Sequence, residues 1–116
     1  MRLSIAIVNW NTTPLLAACL RSLPKIGTEP FFEVIVVDNA SDDFDEAAFR
    51  EESPDVNLIR NSENVGYARG NNQAFERATG DYVLLLNPDT EVTDGALEAL
   101  VSFMDAHEHA AAAGAK

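Results

Sequence analysis

The sequence predicts an α/β fold of the Rossmann-like kind, in which helices flank a mostly parallel sheet. Short apolar strands alternate with segments of helical periodicity, and most of these strands are apolar almost throughout. Continuous apolar runs favour a parallel sheet that is covered on both faces. Because the chain has 116 residues, 47% of them hydrophobic, we expect one domain, residues 1–116, with a core of its own.

The first two predicted strands each lead into a helix. Residues 3–8 are β-branched and apolar, and Thr13 is expected to cap the helix that follows, with Pro14 in its first turn. The apolar stripe of this helix comprises Leu15, Leu16, Cys19, Leu20 and Leu23. Residues 33–37 predict the second strand, and residues 44–52 a short helix after it.

The second half of the chain repeats this alternation. Residues 56–60 predict a more polar third strand, and residues 67–80 a helix that ends at Gly80. The inward side of that helix is expected to carry Tyr67, Asn71, Ala74, Phe75 and Ala78. Residues 82–86, YVLLL, predict a fully buried fourth strand.

The last predicted helix begins at a cap formed by Thr93 or Asp94. Its buried side is expected to carry Leu97, Leu100, Val101 and Met104. The small-residue segment 109–116 is interpreted either as a frayed terminus or as the start of a further strand.

The charge of the chain restricts its partners. With 19 acidic and 8 basic residues the formal net charge is −11, which disfavours nucleic acid and anionic lipid. A phosphate-bearing ligand would therefore need local cations or a bound metal ion. The single cysteine, Cys19, suits a reducing compartment, and the apolar run 3–8 is too short for a signal peptide or a membrane span. We expect a cytoplasmic protein, with the inner face of a membrane open for a longer parent.

Polar residues follow every predicted strand. The four segments are NWN, DNASDD, NSENVGYARGNN and NPDT. Ligands of parallel sheets bind beyond the carboxyl ends of the strands, so these segments predict a site for a polar ligand. The residues of NPDT taken alone are also those of an ordinary turn. If the ligand is a nucleotide, Asp89 is a suitable oxygen ligand for a divalent cation, and Asp38 stands where an acid accepts hydrogen bonds from ribose or base.

Two common phosphate-binding motifs are absent from the sequence. The turn after the first strand is not GxGxxG, and no GxxxxGK[ST] occurs. Dinucleotide cofactors and P-loop chemistry are therefore disfavoured.

Four ordered motifs carry a resemblance to a known family. SIAIVNWN, EVIVVDNASDD, NVGYARGNNQAF and DYVLLLNPDTEV resemble the nucleotide-sugar-binding half of the family 2 inverting glycosyltransferases, and within that family the rhamnosyltransferase-like branch. The resemblance runs from residue 3 to about residue 104. It implies a truncated form of the GT-A fold, the nucleotide-diphospho-sugar transferase fold.

The resemblance also implies a set of donor-binding residues. The base and ribose would be held by residues after the first two strands, namely Asn9, Asn11, Asp38, Asn39 and Ser41. Gly66 would let the backbone approach the donor, and Arg69 and Asn71, with Asn72, would begin the helix that approaches it from below. Asp89 would bind Mg²⁺ or Mn²⁺ on the diphosphate, with Asn87 nearby.

The sequence departs from the family pattern at two points. Asn87 replaces the first acid of the DxD motif, which weakens the expected metal site. The acceptor-binding region and the general base follow DxD by more residues than remain here, so no catalytic residue is assigned. We therefore expect this chain to bind a UDP- or dTDP-sugar without transferring it, and the glycan or lipid-linked acceptor to bind to an absent region.

Two other functions share the predicted fold. A non-catalytic, flavodoxin-like regulatory module such as a phosphoacceptor receiver would carry an acid pair after the first strand and a lysine near the last. The chain has NWN at the first position and no lysine between Lys25 and Lys116. A nucleotidyltransferase would carry a glycine-rich basic loop after the first strand. Trp10 is open to two interpretations, stacking on a base or packing the loop against the sheet.

Overall fold

The computed structural model describes residues 2–25 and 31–110. Within them the strands are β1 (Leu3–Asn9), β2 (Phe32–Asn39), β3 (Asn57–Asn61) and β4 (Tyr82–Leu85). The helices are α1 (Thr13–Ser22), α2 (Glu46–Glu52), α3 (Tyr67–Arg77) and α4 (Ala96–Ala106). This order confirms the predicted alternation of strands and helices. Segment 109–116 was interpreted as a frayed terminus or as the start of a further strand. Residues 111–116 of this segment lie outside the described residues.

The sheet is parallel throughout the described residues, with strand order β3-β2-β1-β4. The chain winds from β1 outward through β2 to β3, and then crosses back to place β4 on the other side of β1. The strand order therefore reverses between β1 and β4, which is where ligands bind in open parallel sheets. The register pairs Asn9 with Asp38 and Asp38 with Arg60, so the polar ends of three strands lie side by side.

Apolar side chains cover the sheet in two groups. One face packs against α1 and α4, with Leu16, Cys19, Leu97 and Val101 buried. The other face packs against α3, and its buried cluster comprises Ala6, Val8, Ile35, Val37 and Ala74. Both groups hold β1 and β2 rigidly, so the residues that end these strands are carried on the most buried part of the molecule.

The prediction that β4 is fully buried is wrong. Its residues alternate between half-buried and exposed, with Val83 40% and Leu85 47% exposed. The reason is position: β4 is an outer strand of the described sheet, next to β1 only, while α3 packs on β1 and β2. We call the side of β4 that carries Val83 and Leu85 its open face. Tyr67 and Phe75 on α3, both predicted to point inward, are also exposed, at 53% and 43%.

The prediction that α3 ends at Gly80 is wrong. The helix stops at Arg77 with Ala78 as its C-cap. Gly80 instead lies where the chain crosses β1, since a Cβ atom there would be 2.7 Å from the carbonyl carbon of Leu3 and from the nitrogen of Ser4. This glycine is required by a close backbone approach rather than by a helix terminus.

Two predicted caps are displaced by a residue or two. The N-cap of α1 is Thr12 rather than Thr13, and the N-cap of α4 is Gly95, with φ 79°, rather than Thr93 or Asp94. Neither helix has a side-chain capping hydrogen bond. The hydroxyl of Thr13 is used elsewhere, as described for the site below. Leu15, predicted in the buried stripe of α1, is 48% exposed.

A polar clasp closes the edge of the sheet opposite the strand ends. Glu33 Oε2 accepts hydrogen bonds from Ser4 Oγ at 2.5 Å, from the Thr79 backbone N–H at 2.7 Å and from Thr79 Oγ1 at 2.7 Å. Ser4 Oγ in turn accepts from the Gly80 N–H at 2.9 Å. Burial raises the pKa of Glu33, but these hydrogen bonds outweigh it and hold that pKa below its ordinary value. The clasp therefore fixes the entry into β4 through a charged acceptor.

Across residues 2–25 and 31–110, none of the helices has both the length and the apolar character that crossing a membrane requires.

Candidate functional site

Four of the predicted site residues form a buried polar group at the ends of β1 and β2. We call this group the strand-end frame; it consists of Asn9, Asp38, Asn39 and Ser41, which are 0%, 0%, 1% and 4% exposed. Buried polar side chains need hydrogen-bond partners, and these four obtain them from one another and from adjacent loops. The frame is therefore a support for the site more than a contact surface.

Asp38 is the centre of the frame. Its Oδ1 accepts a hydrogen bond from Asn9 Nδ2 at 3.0 Å, and its Oδ2 accepts from the Ser41 backbone N–H at 3.1 Å and from Arg60 Nε at 3.0 Å. Both carboxylate oxygens are thus bonded to protein donors, and the side chain is completely covered. Direct hydrogen bonding between Asp38 and a ribose or base stays a prediction. In the structure, the Asp38 carboxylate positions Asn9, Ser41 and Arg60.

Asn39 links the frame to the beginning of α3. Its Oδ1 accepts from Asn61 Nδ2 at 2.9 Å, and its Nδ2 donates to the carbonyl of Gly66 at 3.1 Å. Asn61 is also held by Gln73, through a pair of hydrogen bonds at 2.8 and 2.9 Å. Gly66 is the N-cap of α3 with φ 90°, so Asn39 fixes a backbone position that favours glycine.

The loops after β1 and β2 are tied to each other. The Asn11 backbone N–H donates to Ser41 Oγ at 2.8 Å, and Asn11 Oδ1 accepts from the Asp42 N–H at 2.8 Å. The hydroxyl of Thr13 donates to Asp43 Oδ1 at 2.7 Å. Asn11 adopts φ 52°, in the left-handed region that asparagine tolerates. Side-chain bonds on both sides of Asn11 hold this conformation, so the loop edge is fixed without a ligand.

The other members of the predicted site, apart from Asn71, are exposed. They are Asn11, Gly66, Arg69, Asn87 and Asp89. Asn87 and Asp89 lie on the turn after β4, which is closed by hydrogen bonds from Thr90 Oγ1 and Thr90 N–H to the Asn87 carbonyl at 2.6 and 3.2 Å. The Cys19 thiol lies beneath this turn, 4.0 Å from the Asn87 carbonyl, and burial raises its pKa. The turn thus presents its amide and carboxylate to solvent on a fixed backbone.

The metal-binding capacity of this turn is small. No group of three or more His, Cys, Asp or Glu side chains comes together anywhere in the described ranges. One carboxylate, Asp89, and one amide, Asn87, fit a Mg²⁺ or Mn²⁺ ion that takes its other ligands from phosphate and water. These residues therefore suit a cation that arrives with a phosphate ligand.

Asn71 is the exception among the buried site residues. It is 5% exposed, and its Oδ1 is the one buried side-chain nitrogen or oxygen without a hydrogen-bond partner in the part of the chain that the structure describes. Asn71 lies one helical turn after Tyr67, whose hydroxyl donates to Asn87 Oδ1 at 3.5 Å. An unpaired buried acceptor is unfavourable by about 1–3 kcal/mol, so Asn71 Oδ1 retains the capacity to accept one more hydrogen bond.

Arg60 was missed at the sequence level, although it contacts the frame directly. Its Nε bonds to Asp38, and its Cζ lies 4.7 Å from the centroid of the Phe44 ring. The signal available was an arginine at the end of a predicted strand. Nothing local in VNLIR shows that this strand pairs with β2 in the register that places Arg60 opposite Asp38. For the same reason, the sequence alone does not predict the hydrogen bond between Asn61 and Asn39, which are also paired by this register.

Residues 4–116 match the sequence model of the family described as glycosyl transferase family 2. A curated N-acetylglucosaminyl-diphospho-decaprenol L-rhamnosyltransferase of Mycobacterium tuberculosis is 28% identical over 123 aligned residues, covering 97% of this chain and 40% of its own length.

Two solved structures share the fold. Residues 1–349 of TarS from Staphylococcus aureus, in complex with UDP-GlcNAc, superpose with a TM-score of 0.77 and 26% identity over 93% of this chain and 32% of that one. A mannosyltransferase from Pyrobaculum calidifontis, in complex with GDP-Man and Mn²⁺, superposes with a TM-score of 0.76 and 29% identity over 89% of this chain and 32% of that one.

The chain is much shorter than its relatives. It spans between 23% and 40% of the length of four curated proteins that it matches.

Proposed function

This chain belongs to glycosyl transferase family 2, and we propose that it is the donor-binding part of a longer enzyme. That enzyme would transfer a sugar from a nucleoside diphosphate sugar to a glycan or lipid-linked acceptor, with inversion at the anomeric carbon. One observation carries the proposal: where the strand order reverses, the exposed Asp89 turn of β4 lies beside a rigid polar frame on β1 and β2.

The donor spans this edge of the sheet. We place the diphosphate at Asp89, with a Mg²⁺ or Mn²⁺ ion between them, and the nucleoside over the ends of β1 and β2. Trp10 is 54% exposed beside the frame and offers a stacking surface for the base. The complexes of TarS with UDP-GlcNAc and of the mannosyltransferase with GDP-Man and Mn²⁺ support this arrangement by similarity. Our preferred donors are UDP- and dTDP-sugars.

Three exposed residues and the buried Asn71 have distinct parts in holding the donor. The Asp89 carboxylate binds the cation, and the Asn87 amide adds a neutral oxygen beside it. Arg69 is exposed at the first turn of α3 and supplies a positive charge near a ligand that this acidic chain would otherwise repel. When bound, the metal ion stabilises the negative charge of the departing nucleoside diphosphate. Asn71 Oδ1 accepts a hydrogen bond from a donor hydroxyl.

We propose that the general base and the acceptor site lie in the rest of the longer protein. An inverting transfer needs a carboxylate or similar base on the acceptor hydroxyl, and no residue of this chain is assigned that role. The isolated chain should accordingly bind donor without turning it over. A cytoplasmic location, which the single buried cysteine favours, is part of the same proposal.

Isothermal titration calorimetry tests the donor site. The chain is titrated with UDP, dTDP and GDP, each with and without Mn²⁺, alongside Asp89→Asn. We expect binding that strengthens at least tenfold with Mn²⁺ in the wild type and not in Asp89→Asn. Asp94→Asn, which removes an exposed carboxylate five residues away, is the charge-matched control and should bind as the wild type does. Failure of all three nucleotides to bind under both conditions would overturn the proposal.

A further inference from the structure

Arg60 has a guanidinium group that is fixed on one side and free on the other. Nε is held by Asp38 Oδ2 at 3.0 Å, and the plane of the group lies over Phe44 at 4.7 Å. Its Nη1 is 3.9 Å from Glu46 Oε1, which is longer than a hydrogen bond. The terminal amino groups thus make no hydrogen bond with the described residues, while 33% of the side chain is exposed.

Arg60 borders an open cleft. This cleft has a volume of about 460 Å³ and is lined by Ala40, Ser41, Asp42, Arg60, Asn61 and Ser62. Ser41 and Asn61 are the residues through which Asp38 and Asn39 position the two loops. A hydrogen-bond donor group that is already immobilised, such as this guanidinium, discriminates between ligands more sharply than a flexible one. The reason is that little conformational entropy is lost when the ligand binds.

The position of the cleft in the sheet suits the base of a nucleotide rather than its phosphates. Arg60 is the last residue but one of β3, and Asp89 follows β4; these are the two outer strands of the described sheet. Three strand spacings separate them, or about 14 Å. A nucleoside diphosphate whose phosphates lie at Asp89 therefore directs its base, and not its phosphates, toward the β2–β3 side.

We propose that Arg60 is a specificity-determining residue that reads the carbonyl-bearing edge of a uracil or thymine base. This inference rests on the proposed donor site. The terminal amino groups of Arg60 are hydrogen-bond donors, which the 4-carbonyl of uracil or thymine accepts. Cytosine carries an amino group at the same position, so two donors would face each other and both would lose their partners. Sites built to bond a polar group reject the analogue that lacks it far more strongly than they reject a change in size.

Comparison of UDP with CDP tests the proposal without any substitution. The two ligands share the ribose and the diphosphate and differ in the pyrimidine edge alone. By calorimetry with Mn²⁺ present, we expect the wild-type chain to bind UDP at least about tenfold more tightly than CDP. Equal affinities for the two would overturn the role of Arg60 while leaving the proposed donor site standing. If UDP, CDP, dTDP and GDP all fail to bind, the proposed function fails and this inference fails with it. Binding of GDP alone would overturn the role of Arg60 and leave the donor site standing.

Arg60→Lys then tests which atom discriminates. Lysine keeps a positive charge near Asp38 but lacks the rigid planar group that bonds Asp38 and the base together. We expect UDP affinity to fall about tenfold while CDP affinity changes less than twofold. Equal losses for both nucleotides would show a phosphate-binding or structural role and would overturn the proposal.

Arg50→Lys provides the matched control. This arginine is exposed on α2 and pairs with Glu46, outside the cleft. The variant should reproduce the wild-type ratio of UDP to CDP affinity. Thermal melts of both variants report folding. If Arg60→Lys unfolds, equal wild-type affinities for UDP and CDP would still overturn the proposal.

Discussion

Asn9 and Asp38 lie opposite each other in the register of β1 and β2, and Asn9 Nδ2 donates to Asp38 Oδ1 over 3.0 Å. Both side chains are completely buried at the end of the two most buried strands. An amide and a carboxylate in this position could not remain there without internal partners. Their pairing explains why two apolar strands end in polar residues: the polar ends hold the loops that surround the site.

The Asp38→Asn variant should lower the free energy of unfolding by about 2–4 kcal/mol. Asp38 accepts hydrogen bonds on both oxygens from Asn9, Ser41 and Arg60. An asparagine amide has one amino group, which would face a donor in either orientation. Urea denaturation followed by tryptophan fluorescence measures the change.

Asp42→Asn is the control for this loss. Asp42 is exposed in the same loop and also carries one negative charge, so its replacement should change the free energy of unfolding by less than about 0.5 kcal/mol. Similar stability of the two variants would show that Asp38 contributes only through overall charge.

In the Glu33→Gln variant, the free energy of unfolding should fall less than in the wild type as the pH is lowered into the acid range. The folded pKa of Glu33 lies below its unfolded value of about 4.3, so its charged hydrogen bonds stabilise the protein above that value. This contribution is lost as the pH falls through the folded pKa. At pH 7 the variant should be less stable by about 1 kcal/mol, and the difference should disappear once the pH has fallen through the folded pKa.

Glu51→Gln serves as the reference in that titration. Glu51 is exposed on α2, and its variant should follow the wild-type stability curve at every pH. A Glu33→Gln curve parallel to the wild type would mean that the clasp contributes no charge-dependent stability.

Gly80→Ala should destabilise the protein by about 2–4 kcal/mol. The added Cβ would lie 2.7 Å from backbone atoms of Leu3 and Ser4, neither of which can rotate away. Gly95→Ala separates this effect from backbone conformation, because Gly95 has φ 79° and nothing within 4 Å of its Cβ position. We expect that second variant to lose only about 1 kcal/mol in chemical denaturation. Equal losses would contradict the close-approach explanation for Gly80.

Asn71→Leu should stabilise the free protein by up to about 1 kcal/mol while weakening nucleotide binding about tenfold. Leucine removes a buried oxygen that has no partner in the described residues, and with it the group that we assign to the donor. Melting temperature and calorimetry are measured on the same preparation. Asn72→Leu, at the exposed neighbouring position, should bring no such gain in stability. Lower stability with unchanged binding would assign Asn71 a purely structural role.

Much of the fold was predictable because it depends on local patterns. The apolar runs located all of the described strands, and the helical spacing of residues such as Leu16, Cys19, Leu97 and Val101 identified core positions that are indeed buried. What failed depends on strand order. The run YVLLL shows that residues 82–86 are apolar, but not that the strand is an outer one in the described sheet with one face uncovered.

The sequence did not show which residues of the predicted site are buried and which are exposed. The polar segments after the strands placed Asp38 and Asp89 in one candidate site, but they did not distinguish the buried Asp38 from the exposed Asp89. That distinction depends on the register, which brings Arg60 from a distant strand to Asp38. A strand-end arginine and a strand-end aspartate are informative only once their strands are known to be neighbours.

The open face of β4 affects how the protein behaves in concentrated solution. Val83 and Leu85 lie on one of the two outer strands of the described sheet, and exposed outer strands are those through which protein copies aggregate. A net charge of −11 keeps the copies apart near neutral pH. That repulsion disappears near the isoelectric point of about 4.3 and is screened at high salt. Dilute samples at moderate salt are therefore the conditions in which the acid titration of the Glu33 clasp reports folding and not precipitation.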